Sequence, residues 1–238
     1  MTDTLILTVV SFFTSAFTAV VGVGGGVLLI SIMTVFLSPM AVVPVHGMVQ
    51  LASNASRCLF APKQIAWTVV RPFVVGLLIG CVAGAQVVVR IPSGFLPVPL
   101  ACFILLVTWW PDWKKRFRLP GKFLALGFVQ AFLTLFVGAT GPLNPPILLR
   151  HGLSGGETVV TQALLMTLVH LSKIITFGLL GFAFASYLPL MGGMIVAVTA
   201  GSWAGTKLRH KVPEQALKTV IKWLVTLLAL RMLLKALL

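Results

Sequence analysis

Apolar residues fill most of the chain in long runs, which short polar, basic or glycine-rich breaks separate. The runs cover approximately residues 4–20, 27–37, 42–61, 68–89, 95–110, 122–137, 158–184, 188–206 and 219–237. An α-helix needs about 20 apolar residues to cross the hydrocarbon core of a bilayer, and several runs approach that length. The pattern therefore predicts an all-α integral membrane protein in which residues 1–238 form a single transmembrane domain.

The break between the first two runs is a cluster of glycines. Four of the five residues from Gly22 to Gly26 are glycine, and each costs about 1 kcal/mol relative to alanine in a helix interior. Irregular backbone is tolerated at membrane depth only where protein or a polar cavity surrounds it. We therefore predict that amides of Gly24, Gly25 and Gly26 form an anion site with the start of the next helix. The alternative is a close-packed turn without a ligand.

Glycine and polar residues recur in the same order in the second half of the sequence. At an offset of 116 residues, the matches are Thr14 with Gln130, Thr18 with Thr134 and Gly22 with Gly138. At an offset of 121 residues, they are Gly80 with Gly201, Gly84 with Gly205, Arg90 with Lys211 and Pro92 with Pro213. We infer a duplication, with repeat one at about 4–110 and repeat two at about 122–237.

Each repeat is predicted to begin with a broken hairpin. The segment 4–37 is too long for one span at 1.5 Å per residue and is broken in its middle, so it is interpreted as a hairpin that enters the membrane and returns. Its counterpart, about 122–150, turns at 138–146, where Gly141-Pro142 and Asn144-Pro145-Pro146 are predicted to forbid regular helix. Each repeat is then a hairpin followed by three spans.

Because three spans are an odd number, such repeats would be inverted relative to each other, as in many secondary transporters. Inversion would place most bases on the cytoplasmic side, as the positive-inside tendency favours: Arg57, Lys63, Arg71, Lys114, Lys115, Arg116, Arg118, Lys122, Lys207, Arg209 and Lys211. If each broken segment crosses the membrane instead, the repeats are parallel and 207–211 falls outside. The sequence favours inversion in a multi-pass protein of the cytoplasmic (inner) membrane.

Composition limits the possible partners. The chain is 58% hydrophobic and 9% charged, with a mean hydropathy of +1.07 and a formal net charge of +14. Because the bases lie in short loops beside apolar segments, membrane topology explains most of them and no nucleic-acid partner is predicted. Membrane lipid and a small anion are the expected partners, and the oligomeric state stays open. Cys58, Cys81 and Cys102 show no metal-ligand spacing and are interpreted as small apolar residues.

A polar stripe marks the third predicted helix. His46, Gln50, Asn54 and Arg57 are four, four and three residues apart, so they share one helix face. The offset of 116 gives a corresponding stripe in repeat two, made of Gln162, Met166, His170 and Lys173. Both stripes are predicted to face the interior of the bundle.

The two bases of these stripes have no evident carboxylate partner. The chain has four acids, all near segment ends: Asp3, Asp112, Glu157 and Glu214. A basic residue within a span costs about 2.5–3.5 kcal/mol on insertion scales and is usually functional. We therefore predict that Arg57 and Lys173 supply charge to a bound anion. The alternative is that both bases snorkel to lipid headgroups.

Three further polar residues are candidates for a role in binding or coupling. His46 and His170 lie deep enough to titrate in a proton-coupled cycle, although each could equally be a core histidine whose hydrogen bonds are satisfied. Asn144 could donate to an oxyanion from the second turn, or simply stabilise that turn. Glu157, three residues after Ser154, has capping-box spacing, which favours a helix cap over a proton carrier.

The motifs of common enzyme classes are not found in the sequence. It contains no Ser/His/Asp set, paired carboxylates, Walker A loop, HExxH or metal-ligand cluster. We therefore predict no catalytic residue, no metal and no cofactor, and no enzyme activity.

At the paired breaks and the duplicated stripe, the chain resembles the TauE/SafE sulfite-exporter family of small membrane permeases over its whole length. The residues that carry the resemblance are Val21–Gly26, Asn54, Arg57, Gly80, Gly84, Ile91-Pro92 and Val212-Pro213. The second break departs from the glycine-rich form with Gly141-Pro142-Leu143-Asn144-Pro145-Pro146. The resemblance implies transport of sulfite, thiosulfate or organosulfonates such as sulfoacetate.

We therefore expect a transport domain with a central anion site between two broken helices, operating in export. The predicted substrate-binding residues are Gly24, Gly25, Gly26, Asn54, Arg57, Gly138, Thr140, Gly141, Asn144, His170 and Lys173, with His46 and His170 as candidates for proton coupling. Two alternatives stay open, a membrane-embedded enzyme and an accessory protein of sulfur metabolism.

Overall fold

The computed structural model describes residues 2–22, 24–60, 62–109, 121–208 and 214–237, and within these ranges the chain is helical and contains no strand. Its α-helices are α1 (Thr2–Val21), α2 (Gly25–Phe36), α3 (Pro39–Phe60), α4 (Trp67–Val88), α5 (Pro97–Trp109), α6 (Lys122–Val137), α7 (Asn144–Leu149), α8 (Gly155–Leu179), α9 (Leu188–Leu208) and α10 (Glu214–Leu237). The predicted all-α class is confirmed, and the nine apolar runs correspond to every one of these helices except α7.

Several of the described helices are suited to crossing a bilayer. Four segments are long and apolar enough: Thr2–Val21, Trp67–Val88, Gly155–Leu179 and Phe184–Leu208. The last of these joins a short 3-10 turn, Phe184–Tyr187, to α9. An α-helix pairs its backbone N–H and C=O groups within the segment, as the hydrocarbon core of a bilayer requires. The chain is therefore a multi-pass membrane protein.

The first break lies where the glycine cluster predicts it. Gly22 and Gly24 have φ values of 89° and 106°, in the region that favours glycine, and α2 begins at Gly25, two residues before the predicted start. A Cβ atom added at Gly25 would collide with the main-chain oxygen of Thr14 and with Oγ1 of Thr18. The chain thus turns at the end of α1, and the start of α2 packs directly on the α1 backbone.

The second break differs from its prediction in one respect. α6 ends at Val137, the following Gly138 has a φ of 68°, and a 3-10 turn covers Gly141–Leu143, as a broken segment requires. However, α7 begins at Asn144, so the prediction that regular helix is forbidden through Pro146 is wrong. Proline is costly in the interior of a helix but fits its first turn, where its missing N–H has no helical acceptor. Pro145 and Pro146 occupy that first turn.

Two helix pairs, α4 with α6 and α1 with α9, each combine one helix from each half of the sequence and pack against each other at glycines. A Cβ atom at each of these glycines would collide with or crowd the facing backbone: Gly80 with Phe128, Gly84 with Phe132, Gly201 with Phe12 and Gly205 with Ala16. The glycines are related by the offset of 121, and the facing residues by the offset of 116. The same close helix contact is therefore made twice, in the registers expected from the two sequence offsets. Small residues permit such an approach of backbones in membranes.

The corresponding helices α3 and α8 pack with their directions opposed. Gly47, in the first half of α3, lies against the side chain of Lys173 near the end of α8. Cys58, near the end of α3, has its Sγ 4.0 Å from the carbonyl oxygen of Val160 near the start of α8. Contacts therefore run from the start of one helix to the end of the other.

Helices α5 and α10 show the same opposed arrangement. Trp109, the last residue of α5, donates from Nε1 to Oγ1 of Thr226 at 2.9 Å, near the middle of α10. At the other end, Leu100 of α5 and Met232 of α10 line one cleft.

Some predicted features lie outside the described residues. They include the bases Lys114, Lys115, Arg116, Arg118, Arg209 and Lys211, the acid Asp112 and the dipeptide Val212-Pro213. The predicted capping box is confirmed at the start of α8, where Ser154 Oγ accepts from the Glu157 amide at 3.3 Å and Glu157 Oε2 accepts from the Ser154 amide at 2.9 Å.

Candidate functional site

A small polar cavity lies where the two breaks meet the two polar stripes. Its volume is about 40 Å³, enough for about three water molecules. Its lining comes from both halves of the chain: Thr18, Gly24, Gly26, Val27, His46, Gln50, Asn54 and Arg57 from the first, and Ala139, Gly141, Pro142, Gln162, Met166 and His170 from the second. The cavity is thus lined by α1, α2, α3, α8 and the turn after α6.

The stripe of α3 faces this cavity along its whole length. His46, Gln50, Asn54 and Arg57 all line it, as their helical spacing predicts. Asn54 Nδ2 donates to the Gln50 carbonyl oxygen at 2.7 Å, which fixes the amide so that its Oδ1 points towards Arg57. The side chains form a connected polar ladder on one helix face.

Arg57 presents a partly engaged guanidinium to the cavity. Nε donates to the Ser53 carbonyl oxygen at 3.0 Å, and Nη2 donates to Asn54 Oδ1 at 2.9 Å and to Ser53 Oγ at 3.3 Å. These bonds use three of the five N–H groups of arginine. Among the described residues the two N–H groups of Nη1 have no partner, so they are available to an anion in the cavity.

Neither basic residue of the stripes reaches the lipid surface. Arg57 is 7% exposed and Lys173 is fully buried at 0%, so the snorkelling alternative is wrong. Of the four acids, only Asp3 and Glu157 have described side chains, and neither contacts either base in the described structure. Burying an unpaired charge is costly unless hydrogen bonds or a counter-ion compensate.

The start of α2 also points at the cavity. Gly24 and Gly26 line it, whereas Gly25 lies behind them against α1. No side chain caps this helix terminus, and the first amides of any α-helix lack an intrahelical acceptor. The helix dipole adds a positive potential at the same point. The structure therefore brings Gly24, Gly26 and Arg57 together, and keeps Gly25 for packing.

The residues predicted in the second break divide into two groups. Gly141 lines the cavity, while Gly138, Thr140 and Asn144 lie behind its wall. Gln130 of α6, which was not predicted as a site residue, links Thr140 and Asn144. Its Nε2 donates to the Thr140 carbonyl oxygen at 3.1 Å and to Asn144 Oδ1 at 2.6 Å. Gln130 corresponds to Thr14 by the first offset, and this match was the available signal.

Lys173 does not line the cavity. Its Nζ donates to the Gly138 carbonyl oxygen at 2.8 Å, at the end of α6. Its side chain passes over Gly47, where a Cβ atom would lie 2.7 Å from Lys173 Cε. The lysine thus neutralises part of the negative end of the α6 dipole in a place that the glycine leaves open.

The two histidines lie side by side at the cavity. Their ring centroids are 5.8 Å apart in an edge-on arrangement. His46 Nε2 lies 2.9 Å from the Gly26 carbonyl oxygen, which assigns the proton to that nitrogen because a carbonyl only accepts. The Nδ1 atoms of both rings are buried without a partner in the described structure. Four further lining residues were not selected from the sequence as binding residues, although their stripes or offsets were noted: Thr18, Gln50, Gln162 and Met166.

Comparison with known proteins was made after the geometry was established. A family model described as Sulfite exporter TauE/SafE matches residues 7–232. No curated protein and no solved structure matches the chain. The family consists of transporters rather than enzymes, so the enzyme alternative is excluded and the resemblance noted in the sequence is confirmed. The chain belongs to the sulfite exporter TauE/SafE family and is a sulfite-exporter-type membrane transporter.

Proposed function

We propose that this chain is a single-domain secondary transporter that exports a small sulfur oxyanion or organosulfonate, of the sulfite, thiosulfate or sulfoacetate class, across the cytoplasmic membrane. The observation that carries the proposal is a buried arginine, Arg57, that lines a polar cavity between the two broken helices and whose Nη1 has no hydrogen-bond partner among the described residues. Sulfite and sulfonates carry several oxygens that accept hydrogen bonds, and a guanidinium donates to such groups directionally.

The other donors around the cavity suit the same ligand. Amides at Gly24 and Gly26 and the dipole of α2 supply partial positive charge without a cofactor. Gln50, Asn54 and Gln162 line the cavity with amide side chains that can donate or accept. His170 and His46 add ring nitrogens and are the candidates for proton coupling. The cavity has room for about three waters, which suits a small substrate.

We further propose that the two repeats are inverted and that Lys173 is the counterpart of Arg57 in the other half of the transport cycle. Two observations support this: α3 packs with its direction opposed to that of α8, and α5 is likewise opposed to α10. In inverted repeats, alternating access exchanges the roles of the two halves around one site. On this proposal Lys173, Gly138, Thr140 and Asn144 form the half of the site that is closed in this structure.

Lysine and tryptophan side chains at one end of the helix bundle indicate how the protein is oriented in the membrane. Lys207, near the end of α9, lies 3.9 Å over the ring of Trp203, and Lys222 lies 4.0 Å over the ring of Trp109, the last residue of α5. Tryptophans mark membrane interfaces and lysines accumulate on the cytoplasmic side. We therefore place this end in the cytoplasm, together with Lys63.

Reconstitution into liposomes tests the proposal directly. Purified protein should carry sulfite, thiosulfate, sulfate or short sulfonates with measurable preference in a substrate panel. Arg57→Ala and Lys173→Ala should each abolish that flux, because each removes the cation that one side of the site presents. The matched control is Arg150→Ala, which removes an exposed base at the end of α7, outside the cavity lining.

The outcomes separate the alternatives. Near-normal expression and thermal stability in the variants are needed to assign their loss to the site. Flux at the wild-type level in both Arg57→Ala and Lys173→Ala would refute the proposed anion site. An absence of flux for every anion in the panel, with correctly folded protein, would favour an accessory role over transport by this chain alone.

A further inference from the structure

Three buried serines from three helices meet behind Arg57. Ser15 of α1, Ser53 of α3 and Ser202 of α9 are 3%, 1% and 0% exposed. Ser15 Oγ lies 2.9 Å from Ser53 Oγ and 2.8 Å from Ser202 Oγ. We call these three residues the serine cluster. Hydroxyls in a span bond to a carbonyl of their own helix or across a helix contact. The serine cluster differs from a simple pair because it joins three helices and also accepts from Arg57.

The hydrogen bonds of the serine cluster have a defined direction. Arg57 Nη2 donates to Ser53 Oγ, and Ser15 Oγ donates to the Val198 carbonyl oxygen at 2.7 Å. Since Ser15 uses its proton on Val198, its oxygen must accept from Ser53, whose own oxygen accepts from Arg57. The bonds thus form a chain from Arg57 through Ser53 and Ser15 to the Val198 carbonyl oxygen of α9. Ser202 is a second donor to Ser15 Oγ. Every hydroxyl dipole in the chain directs its oxygen towards the guanidinium.

The serine cluster belongs to one half of the duplicated structure. By the two offsets, the counterparts of Ser15, Ser53 and Ser202 are Ala131, Val169 and Cys81. These residues offer no hydroxyl, so Lys173 cannot be held by an equivalent cluster. Lys173 instead bonds to a main-chain carbonyl oxygen, that of Gly138. A structural requirement common to both repeats therefore does not explain the serines.

We infer that Ser15, Ser53 and Ser202 are positioning residues, which hold the Arg57 guanidinium in one orientation so that Nη1 points into the cavity. The inference rests on the proposed role of Arg57 in binding the anion. A planar fork discriminates among oxyanions only when its plane is fixed. Without the Ser53 hydroxyl, Nε would still donate to the Ser53 carbonyl oxygen, but Nη2 would have Asn54 Oδ1 as its single acceptor, so two bonds rather than three would hold the guanidinium. Through Ser15 and Ser202, the serine cluster also links the Arg57 side chain to α1 and α9, one of the two helix pairs that pack at glycines.

The experiment compares the serine variants with a hydroxyl of the same kind that does not touch the cluster. Ser15→Ala and Ser53→Ala are the test variants. Ser11→Ala is the control, because Ser11 lies one turn earlier on α1, is 0% exposed, and donates only to the Leu7 carbonyl oxygen of its own helix. Initial rates of anion flux into liposomes give KM and the maximal rate for each protein.

Ser15→Ala and Ser53→Ala should raise the KM of the preferred anion by about three- to tenfold, the effect of losing one net buried hydrogen bond. The maximal rate per folded protein should stay close to that of Ser11→Ala. In an Arg57→Lys background, Ser15→Ala should add little further change in KM, because lysine has no planar fork to orient. This loss of effect distinguishes positioning of Arg57 from general support of the fold.

Three results would overturn the inference. They are an unchanged KM in both serine variants, a loss confined to abundance or maximal rate, and an undiminished effect of Ser15→Ala in the Arg57→Lys background. None of these touches the proposed anion site, which fails separately if Arg57→Ala retains wild-type flux.

Discussion

Gly25 and Gly141 occupy corresponding positions at the two breaks, yet the structure gives them opposite tolerance of a methyl group. Neither has a positive φ, so an alanine at either position meets no backbone strain. A Cβ at Gly25 would collide with the main-chain oxygen of Thr14 and with Oγ1 of Thr18. A Cβ at Gly141 would have Met166 Sδ as its nearest neighbour, at 3.8 Å. The pair therefore isolates the close approach of α2 to α1.

The expected magnitudes follow from these contacts. Overpacking costs about 1–3 kcal/mol, and the obstruction at Gly25 includes a carbonyl oxygen that cannot rotate away, so we expect about 3 kcal/mol for Gly25→Ala. At this chain length about 1 kcal/mol corresponds to about 2–4 °C in Tm, which gives a fall of roughly 6–12 °C. Gly141→Ala makes an ordinary contact and restricts the unfolded chain, so its Tm should change by less than about 4 °C.

Thermal unfolding of the purified variants in one detergent, followed by intrinsic tryptophan fluorescence, measures both shifts side by side. Reversibility is checked by rescanning each sample. Equal shifts in the two variants, or a Gly25→Ala protein as stable as the wild type, would show that the start of α2 does not pack on the α1 backbone as described. The proposed site would then lose the fixed position of its helix terminus.

Two further predictions concern topology and driving force. In a background without native cysteines, Lys63→Cys and Lys207→Cys should react with membrane-impermeant reagents only from the cytoplasmic side and Arg90→Cys only from outside; labelling of positions 207 and 90 from the same side would contradict inverted repeats. An inside-negative potential drives an anion outward by about 2.3 kcal/mol per charge per 100 mV, so flux in valinomycin-clamped liposomes at equal pH should follow the imposed potential. Flux that ignores the potential but responds to a pH gradient would instead indicate electroneutral proton coupling, through His46 or His170.

The helices and the first break could be predicted because their signals are local. Apolar runs of span length set α1, α3, α4 and α8, and four glycines in five residues ended α1 where the structure ends it. The stripe from His46 to Arg57 was also predictable, since helical spacing alone places four residues on one face.

The sequence could not predict how the second half uses its corresponding residues. Spacing puts Lys173 on the stripe of α8, but the length of its side chain and the space over Gly47 decide that Nζ reaches Gly138 rather than the cavity. The helix α7 was missed because a rule against proline in helix interiors was applied to a first turn. The serine cluster was missed because it joins three helices, and no spacing within one helix reveals that contact.

On the proposed function, the two repeats contribute unequally to one anion site. Gly47 leaves the space beside α3 that admits the side chain of Lys173, whereas the corresponding position of repeat two is Ala163, which carries a methyl group. On the proposed function, a fixed guanidinium meets the anion on one side and a lysine that must leave Gly138 meets it on the other. Unequal contacts give unequal affinities on the two sides, but at equilibrium a carrier obeys the gradient and the potential whatever its asymmetry. The difference between the halves therefore sets the half-saturating concentration on each side, and the membrane potential sets the direction of net flux.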